Sequence, residues 1–227
     1  MRKAMSGRGI MLAVLSLVLV AAVAFWVDSG CCQTEGLAPV EVREYEGVDL
    51  SSINAFRENS IKGPQQIDME TYTLGVTGLV TNSTRYAYDE VLSRYQLYKK
   101  VVTLDCVEGW SVTILWEGVL VKDLLAEAEP LENATVVIFH AYDGYTTSLP
   151  IDYIIDNDIM MAYKMNDVVL PPERGFPLQL VAESKWGYKW IKWITEIELS
   201  DDTSYRGYWE SRGYSNSGDL DEGFFGD

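Results

Sequence analysis

The chain has 227 residues, with 18 Lys+Arg against 34 Asp+Glu and a formal net charge of −16, which argues against a nucleic-acid backbone as partner. With 48% hydrophobic and 23% charged residues and no low-complexity tract, the composition is that of a globular protein with one domain, not a disordered or polytopic one. A single histidine, His140, leaves no ligand set for a His-rich metal site and at most one candidate for a histidine-dependent triad.

Taken in chain order, Met1-Arg2-Lys3 and Arg8 precede an apolar run from Ile10 to Val27, the pattern of an export signal or membrane anchor. The run is about the minimum that spans a hydrocarbon core of roughly 30 Å. Basic residues before it and Asp28, Glu35 and Glu41 after it place the body outside the cytoplasm. Cys31 and Cys32 follow directly, either as a juxtamembrane pair or as a poor match to a lipoprotein cleavage site. This gives a signal or anchor over 1–32 and a linker over 33–54, ahead of a domain over 55–217 and an acidic, solvated tail over 218–227.

The alternating, β-branched Tyr72–Val80 predicts a half-buried strand, and Tyr88–Tyr95 a short helix. Val101–Val107 and Val112–Trp116 are strand candidates separated by Glu108-Gly109-Trp110, and Val119–Ala128 is a helix ended by Pro130. Thr135–Phe139 reads as a strand buried on both faces, joined through the turn Asp143-Gly144 to Tyr145–Leu149. Met160–Lys164, Leu178–Ala182 and Trp190–Leu199 complete the strands, with Pro171-Pro172 and Gly175 as breakers. Many short strands and few short helices indicate a β-rich α+β domain. The sequons at Asn82 and Asn133 carry no weight.

From about residue 40 onward the chain has one cysteine, Cys106, so no disulfide forms within the body despite the expected extracytoplasmic address. Val102, Leu104 and Cys106 share one strand face, so the thiol is either a small buried hydrophobe or, at a strand end, a nucleophile or soft metal ligand. Composition leaves both open. The lysines of Lys185-Trp186-Gly187-Tyr188-Lys189-Trp190-Ile191-Lys192 are either solvated along an amphipathic strand or gathered for an anion, with Gly187 admitting close backbone approach. His140 is either a strand-end histidine with its own partner or a proton carrier, and Trp110 either a core residue or a wall beside Cys106.

The segment Val101 to Ser111 with Leu115-Trp116-Glu117-Gly118 resembles the molybdenum-ligand region of the sulfite-oxidase-type molybdopterin-binding domain. Asp143-Gly144-Tyr145-Thr146-Thr147, Gly175-Phe176-Pro177-Leu178 and Lys185 to Ile194 follow in that family's order. Gly207 to Tyr214 is similar to the terminal block of stand-alone, exported members such as protein-methionine-sulfoxide reductase catalytic subunits, and Val76 to Val80 to the start of the core. The resemblance implies the family's β-rich α+β fold, a molybdenum-molybdopterin cofactor and Cys106 as thiolate ligand and catalytic centre. It implies cofactor contacts from Arg57, Asn59, Ser60, Asp143, Arg174, Gly187, Tyr188, Lys189 and Lys192, with Lys189 or Lys192 at the phosphate. Gln179 stands where relatives usually carry Arg, so Arg174 is the candidate replacement. Such export implies a twin-arginine signal, and the chain has only the weaker Arg2-Lys3 with Arg8, so either that pattern suffices or the export route differs.

The expected function is oxygen-atom transfer by a membrane-attached extracytoplasmic molybdenum oxidoreductase, either S-oxide reduction or sulfite-type oxidation, with a lean to reduction because the core holds few arginines for an anion. Its partners would be a small-molecule or protein S-oxide or a sulfite-like substrate, and a separate electron-transfer protein, a membrane haem protein being one candidate. The alternatives are a cofactor-free or cofactor-storing surface binding module of the same fold, and thiol nucleophile catalysis if Cys106 and His140 converge.

Overall fold

A computed structural model describes residues 40–226. The expected anchor over Ile10–Val27 and the cysteines at 31 and 32 lie outside the described residues. Among the described residues no helix is long and apolar enough to cross a membrane.

A two-residue hairpin, β1 (Glu44–Tyr45) with β2 (Val48–Asp49), opens the described chain. The body then runs β3 (Leu74–Gly78), β4 (Thr84–Tyr86), α1 (Tyr88–Arg94), β5 (Leu97–Asp105), β6 (Ser111–Leu120), α2 (Val121–Ala128), β7 (Val136–Ala141), β8 (Thr146–Pro150), α3 (Ile151–Asp156), β9 (Met160–Met165), β10 (Val168–Val169), β11 (Gln179–Val181) and β12 (Ile194–Ser200). Single 3-10 turns occupy Pro172–Arg174, Gly187–Lys189 and Glu210–Arg212. The result is the β-rich α+β architecture with few short helices that the sequence implies.

Two sheets share the core. One has the order β10-β9-β6-β5, with β11 also on β9; the other has the order β4-β3-β12-β7-β8. Every pairing is antiparallel except β12 with β3, where Ile197 lies opposite Val76. Both faces of β7 and of the second half of β6 are buried, by a mostly apolar run in β7 and around the one buried carboxylate of Glu117 in β6. Helix α2 turns Val121, Leu124, Leu125 and Ala128 inward and ends at Glu129, which takes a left-handed conformation before Pro130.

Three expectations need correction. Residues 40–54 are not a linker: Leu50 and Ile53 are buried, and Glu41 accepts hydrogen bonds from the Ile53 amide at 2.6 Å and from Asn166 Nδ2 at 2.9 Å. The stretch looks polar because its polar groups do the docking.

The acidic tail is solvated only in part, since Asp221 and Glu222 are exposed while its neighbours dock. Asp219 pairs with Lys185, and Phe224 packs edge-on against Trp186. Net charge hides the aromatic residues interleaved with the acids.

Finally, the strand expected from Trp190 begins only at Ile194. The Trp190 amide bonds Gly187 O and the Trp193 amide bonds Gly175 O, so this stretch folds back on neighbouring loops. Helix α3, missed in the sequence, is a short element with only Ile151 and Ile154 buried.

Candidate active site

The alternation along β5 buries Val102 and Leu104 and brings Cys106, next on that face, to the floor of a cavity of about 300 Å³. Beyond it the chain reverses through a turn closed by Gly109 N–H to Cys106 O at 2.9 Å and by Cys106 N–H to Trp110 O at 2.9 Å. Gly109 makes this possible with φ +84°, a conformation that disfavours side chains. The thiol is 8% exposed, and burial pushes its pKa up. Hydrogen bonds from the Glu108 amide and from the Asn59 side chain, 3.8 Å from the sulfur, oppose that shift.

Three chain regions converge on this floor. From one side comes the segment Phe56 to Ile61. Arg174 anchors it, donating to Ile53 O at 2.9 Å, Phe56 O at 2.6 Å and Arg57 O at 3.2 Å, with its guanidinium 3.7 Å from the Phe56 ring centroid. Phe56 in turn packs on Trp110. Arg174 thus lines the cavity but spends its donors on the backbone, a positioning role. Burial lowers its pKa, partly offset by Glu58 and Glu173.

From the opposite side, Gly187 and Tyr188 line the cavity. A side chain at 187 would press on Asp105 O at 3.3 Å and on Cys106 Cα at 3.5 Å, so the glycine lets this turn lie against the cysteine strand. The third region is the C-terminal segment, which adds Trp209 and Tyr214 to the wall.

The two remaining lysine candidates separate. Lys192 lines the cavity and donates to Glu58 at 2.6 Å; burial depresses its pKa against the raising effect of that carboxylate. Lys189 does not line it. Its ammonium is fully enclosed, 2.7 Å from Glu210 Oε1 and 3.1 Å from Ser148 O. Thr147 also donates to that Glu210 oxygen.

Of the expected site residues, then, Cys106, Arg57, Asn59, Ser60, Asp143, Arg174, Gly187, Tyr188 and Lys192 meet around one cavity. Asp143 combines both roles weighed for it, since it caps its own turn through the Tyr145 amide and also lines the site. Trp110 is a wall residue. His140 lies elsewhere: its Nε2 is 2.8 Å from Glu198, so it is a partnered strand histidine and the Cys106–His140 nucleophile has no basis. Sequence reasoning missed Glu58 and Glu108, although Glu58 lies between the expected contacts Arg57 and Asn59 and Glu108 inside the Val101 to Ser111 segment.

The donor set fits a cofactor that brings most of its own ligands. Among the described residues no group of three His, Cys, Asp or Glu side chains gathers to hold an ion, and a lone thiol supplies one bond. The buried Ser60 hydroxyl, which lines the cavity, has no hydrogen-bond partner, and Lys192 offers a cation. A metal dithiolene of a phosphorylated pterin matches such a bed: one thiolate from the chain, a polar cradle for the ring and a cation for the phosphate.

Comparison with known proteins agrees. Residues 61–209 match the family described as "Oxidoreductase molybdopterin binding domain". The chain is 34% identical over 157 residues to "Uncharacterized oxidoreductase YuiH" of Bacillus subtilis (strain 168), an alignment covering 69% of this chain and 78% of that one. It is 29% identical to the "Protein-methionine-sulfoxide reductase catalytic subunit MsrP" of Pseudomonas syringae pv. tomato, covering 61% of this chain and 46% of that one. The corresponding subunit of Gluconobacter oxydans is 31% identical, covering 57% and 47%. The chain therefore spans about half the length of these two reductase subunits. Among solved structures, the sulfane dehydrogenase SoxCD from Paracoccus pantotrophus shares the fold, with a TM-score of 0.60 at 22% identity over 68% of this chain and 43% of that one.

Proposed function

The chain belongs to the oxidoreductase molybdopterin-binding domain family, and from that premise we propose that it reduces S-oxides outside the cytoplasm, held at a membrane by its N-terminal run. It is a molybdopterin-dependent oxidoreductase, and its cofactor is molybdenum-molybdopterin. The substrate, the direction of transfer and the location form the proposal.

The observation that carries it is the balance of charge in the cavity. Arg57, Arg174 and Lys192 line it against Glu108, Asp143 and Glu173, and two of those cations are committed, Arg174 to backbone carbonyls and Lys192 to the cofactor phosphate in place of Glu58. Sulfite, a small anion, would find no surplus of positive charge. A neutral S-oxide suits the mouth, where Phe56, Trp110, Trp209 and Tyr214 offer aromatic surface to a thioether. The names of the two reductase relatives point the same way, by analogy.

When bound, the cofactor supplies a metal able to exchange an oxygen atom and two electrons. The chain's residues do the rest. Cys106 binds the metal through its thiolate, Ser60 and the Gly187-Tyr188 backbone bed the pterin, and Lys192 meets its phosphate. Arg174 holds the 53–57 segment in place, and the aromatic walls exclude water from the reacting end. Reduction of an S-oxide consumes two electrons and two protons and releases water, so an electron donor is required, for which a separate membrane haem protein is the candidate. The basic residues before Ile10–Val27 and the acids after it support the extracytoplasmic reading, and tethering beside a membrane donor would raise its effective concentration.

The test is metal and pterin analysis of protein from a host that makes the cofactor, followed by turnover with methionine-sulfoxide peptides and with sulfite. About one molybdenum and one pterin per chain with S-oxide reduction is expected; faster sulfite oxidation would overturn the direction. Cys106→Ser is expected to lose activity to background while its melting temperature stays within a few degrees, since the exchange is nearly isosteric.

A further inference from the structure

The carboxylate of Glu108 has no assigned task, yet one of its oxygens accepts two hydrogen bonds. Trp110 Nε1 lies 3.1 Å from Glu108 Oε2 and Asn59 Nδ2 lies 3.2 Å from the same atom. The Asn59 amide nitrogen also lies 3.8 Å from Cys106 Sγ. The orientation of an asparagine amide is set by its neighbours, and an ionised carboxylate only accepts. Glu108 therefore dictates that Asn59 turns its NH₂ end, and not its carbonyl, toward the sulfur. Trp110 fixes the carboxylate in turn, and is itself held by Phe56 beneath the Arg174 guanidinium.

We propose that Glu108 is a positioning residue that locks the Asn59 amide as a hydrogen-bond donor to the Cys106 thiolate, and so tunes the potential of the metal that the thiolate binds. The proposal rests on Cys106 being the metal ligand. A donor on a metal-bound sulfur withdraws electron density from it and favours the reduced metal, so losing the donor lowers the potential. Removing the Glu108 charge acts the other way, because an anion beside the centre opposes reduction. Comparing two neutral replacements separates these effects. Glu108→Gln keeps an acceptor for Asn59; Glu108→Ala keeps none.

The experiment is redox titration of the molybdenum centre in the loaded full chain for Glu108→Gln and Glu108→Ala, each with Asn59 and with Asn59→Leu. The expected result is a lower potential in the alanine variant than in the glutamine variant, with that gap vanishing once Asn59 is Leu. No gap, or a gap that survives in the Leu background, overturns the proposal, since a merely structural part for Glu108 in its turn would not depend on Asn59.

Should the alanine variant load poorly, the Asn59 side-chain amide signals in the full chain without molybdenum separate the same two outcomes. These signals are identified by their loss in Asn59→Leu. They are expected to keep their native shifts in Glu108→Gln and to move to the values of a free asparagine in Glu108→Ala. Native shifts in Glu108→Ala overturn the proposal. A molybdenum spectrum and potential unchanged in Cys106→Ser would instead defeat the metal-ligand reading, leaving the amide result to stand on its own.

Discussion

Lys189 and Lys192 lie three residues apart in one aromatic block, and the fold treats them in opposite ways. Lys189 is sealed with Glu210, both side chains at 0% exposure, and joins the C-terminal segment to the turn under the cavity. Lys192 faces the cavity and leans on Glu58, whose side chain is 24% exposed. The first pair belongs to the scaffold: two charges out of water, held by Ser148 O and Thr147. The second is a contact that a competing anion can replace. What separates them is what packs above: the C-terminal strap lies on one, with Gly218 against the Lys189 side chain, while Glu58 and the Glu173–Gly175 turn border the other. A lysine in a motif therefore says little until its lid is known.

The sharpest way to break this comparison is Lys189→Met. It strands the Glu210 carboxylate in the interior, and a loss of about 3–5 kcal/mol is expected by chemical denaturation. Lys189→Met with Glu210→Leu removes both charges and should recover most of that. A small loss in the single variant would show that water reaches the pair.

Next in size is Arg174→Gln, which deprives three carbonyls of the 53–57 segment of their donor. About 1–3 kcal/mol is expected, together with faster proteolysis between residues 53 and 62. Lys192→Met is the counterpart that sharpens the contrast. Its stability should stay within about 1 kcal/mol of the parent, as for a partly exposed pair, while the molybdenum and pterin retained after gel filtration fall.

The smallest effect is the pH response of the docked 40–54 stretch. Hydrogen bonds from Asn166, Ile53 and Ser52 hold Glu41 below the usual carboxylate range, although burial acts against them. A depressed folded pKa gives stability that is complete above the unfolded value of about 4.3 and fades as pH falls through the folded one. The protection factors of the Leu50 to Ile53 amides should therefore fall below about pH 4 in the parent, and show no such step in Glu41→Gln.

Much of the cavity was legible in the sequence because its residues come in short local blocks. Cys106 reads as a strand-end thiol from the alternation of Val102 and Leu104, and Gly187 as a point of close approach from its aromatic and basic neighbours. Long-range pairing was not legible. Nothing local in Lys189 announces Glu210, and nothing in the acids of the tail announces Phe224 on Trp186. The strand expected at Trp190 failed for the same reason: its hydrophobic pattern is that of a strand, but the amides of Trp190 and Trp193 find partners in Gly187 and Gly175. The 40–54 stretch was misread because its contacts are polar, through Glu41 and Asn166, where hydrophobicity was the guide.

The parallel pairing of β3 with β12 has a kinetic side. It joins Val76 to Ile197, and the Tyr72 hydroxyl reaches Ile194 O across a sequence separation of 122 residues. That contact closes a long loop before it returns any stabilisation, which puts such a sheet among slow folders. The hairpin of β5 and β6 that carries Cys106 closes locally, as does β7 with β8. The hairpin that carries Cys106 is thus expected to close early, and the β3–β12 pairing last.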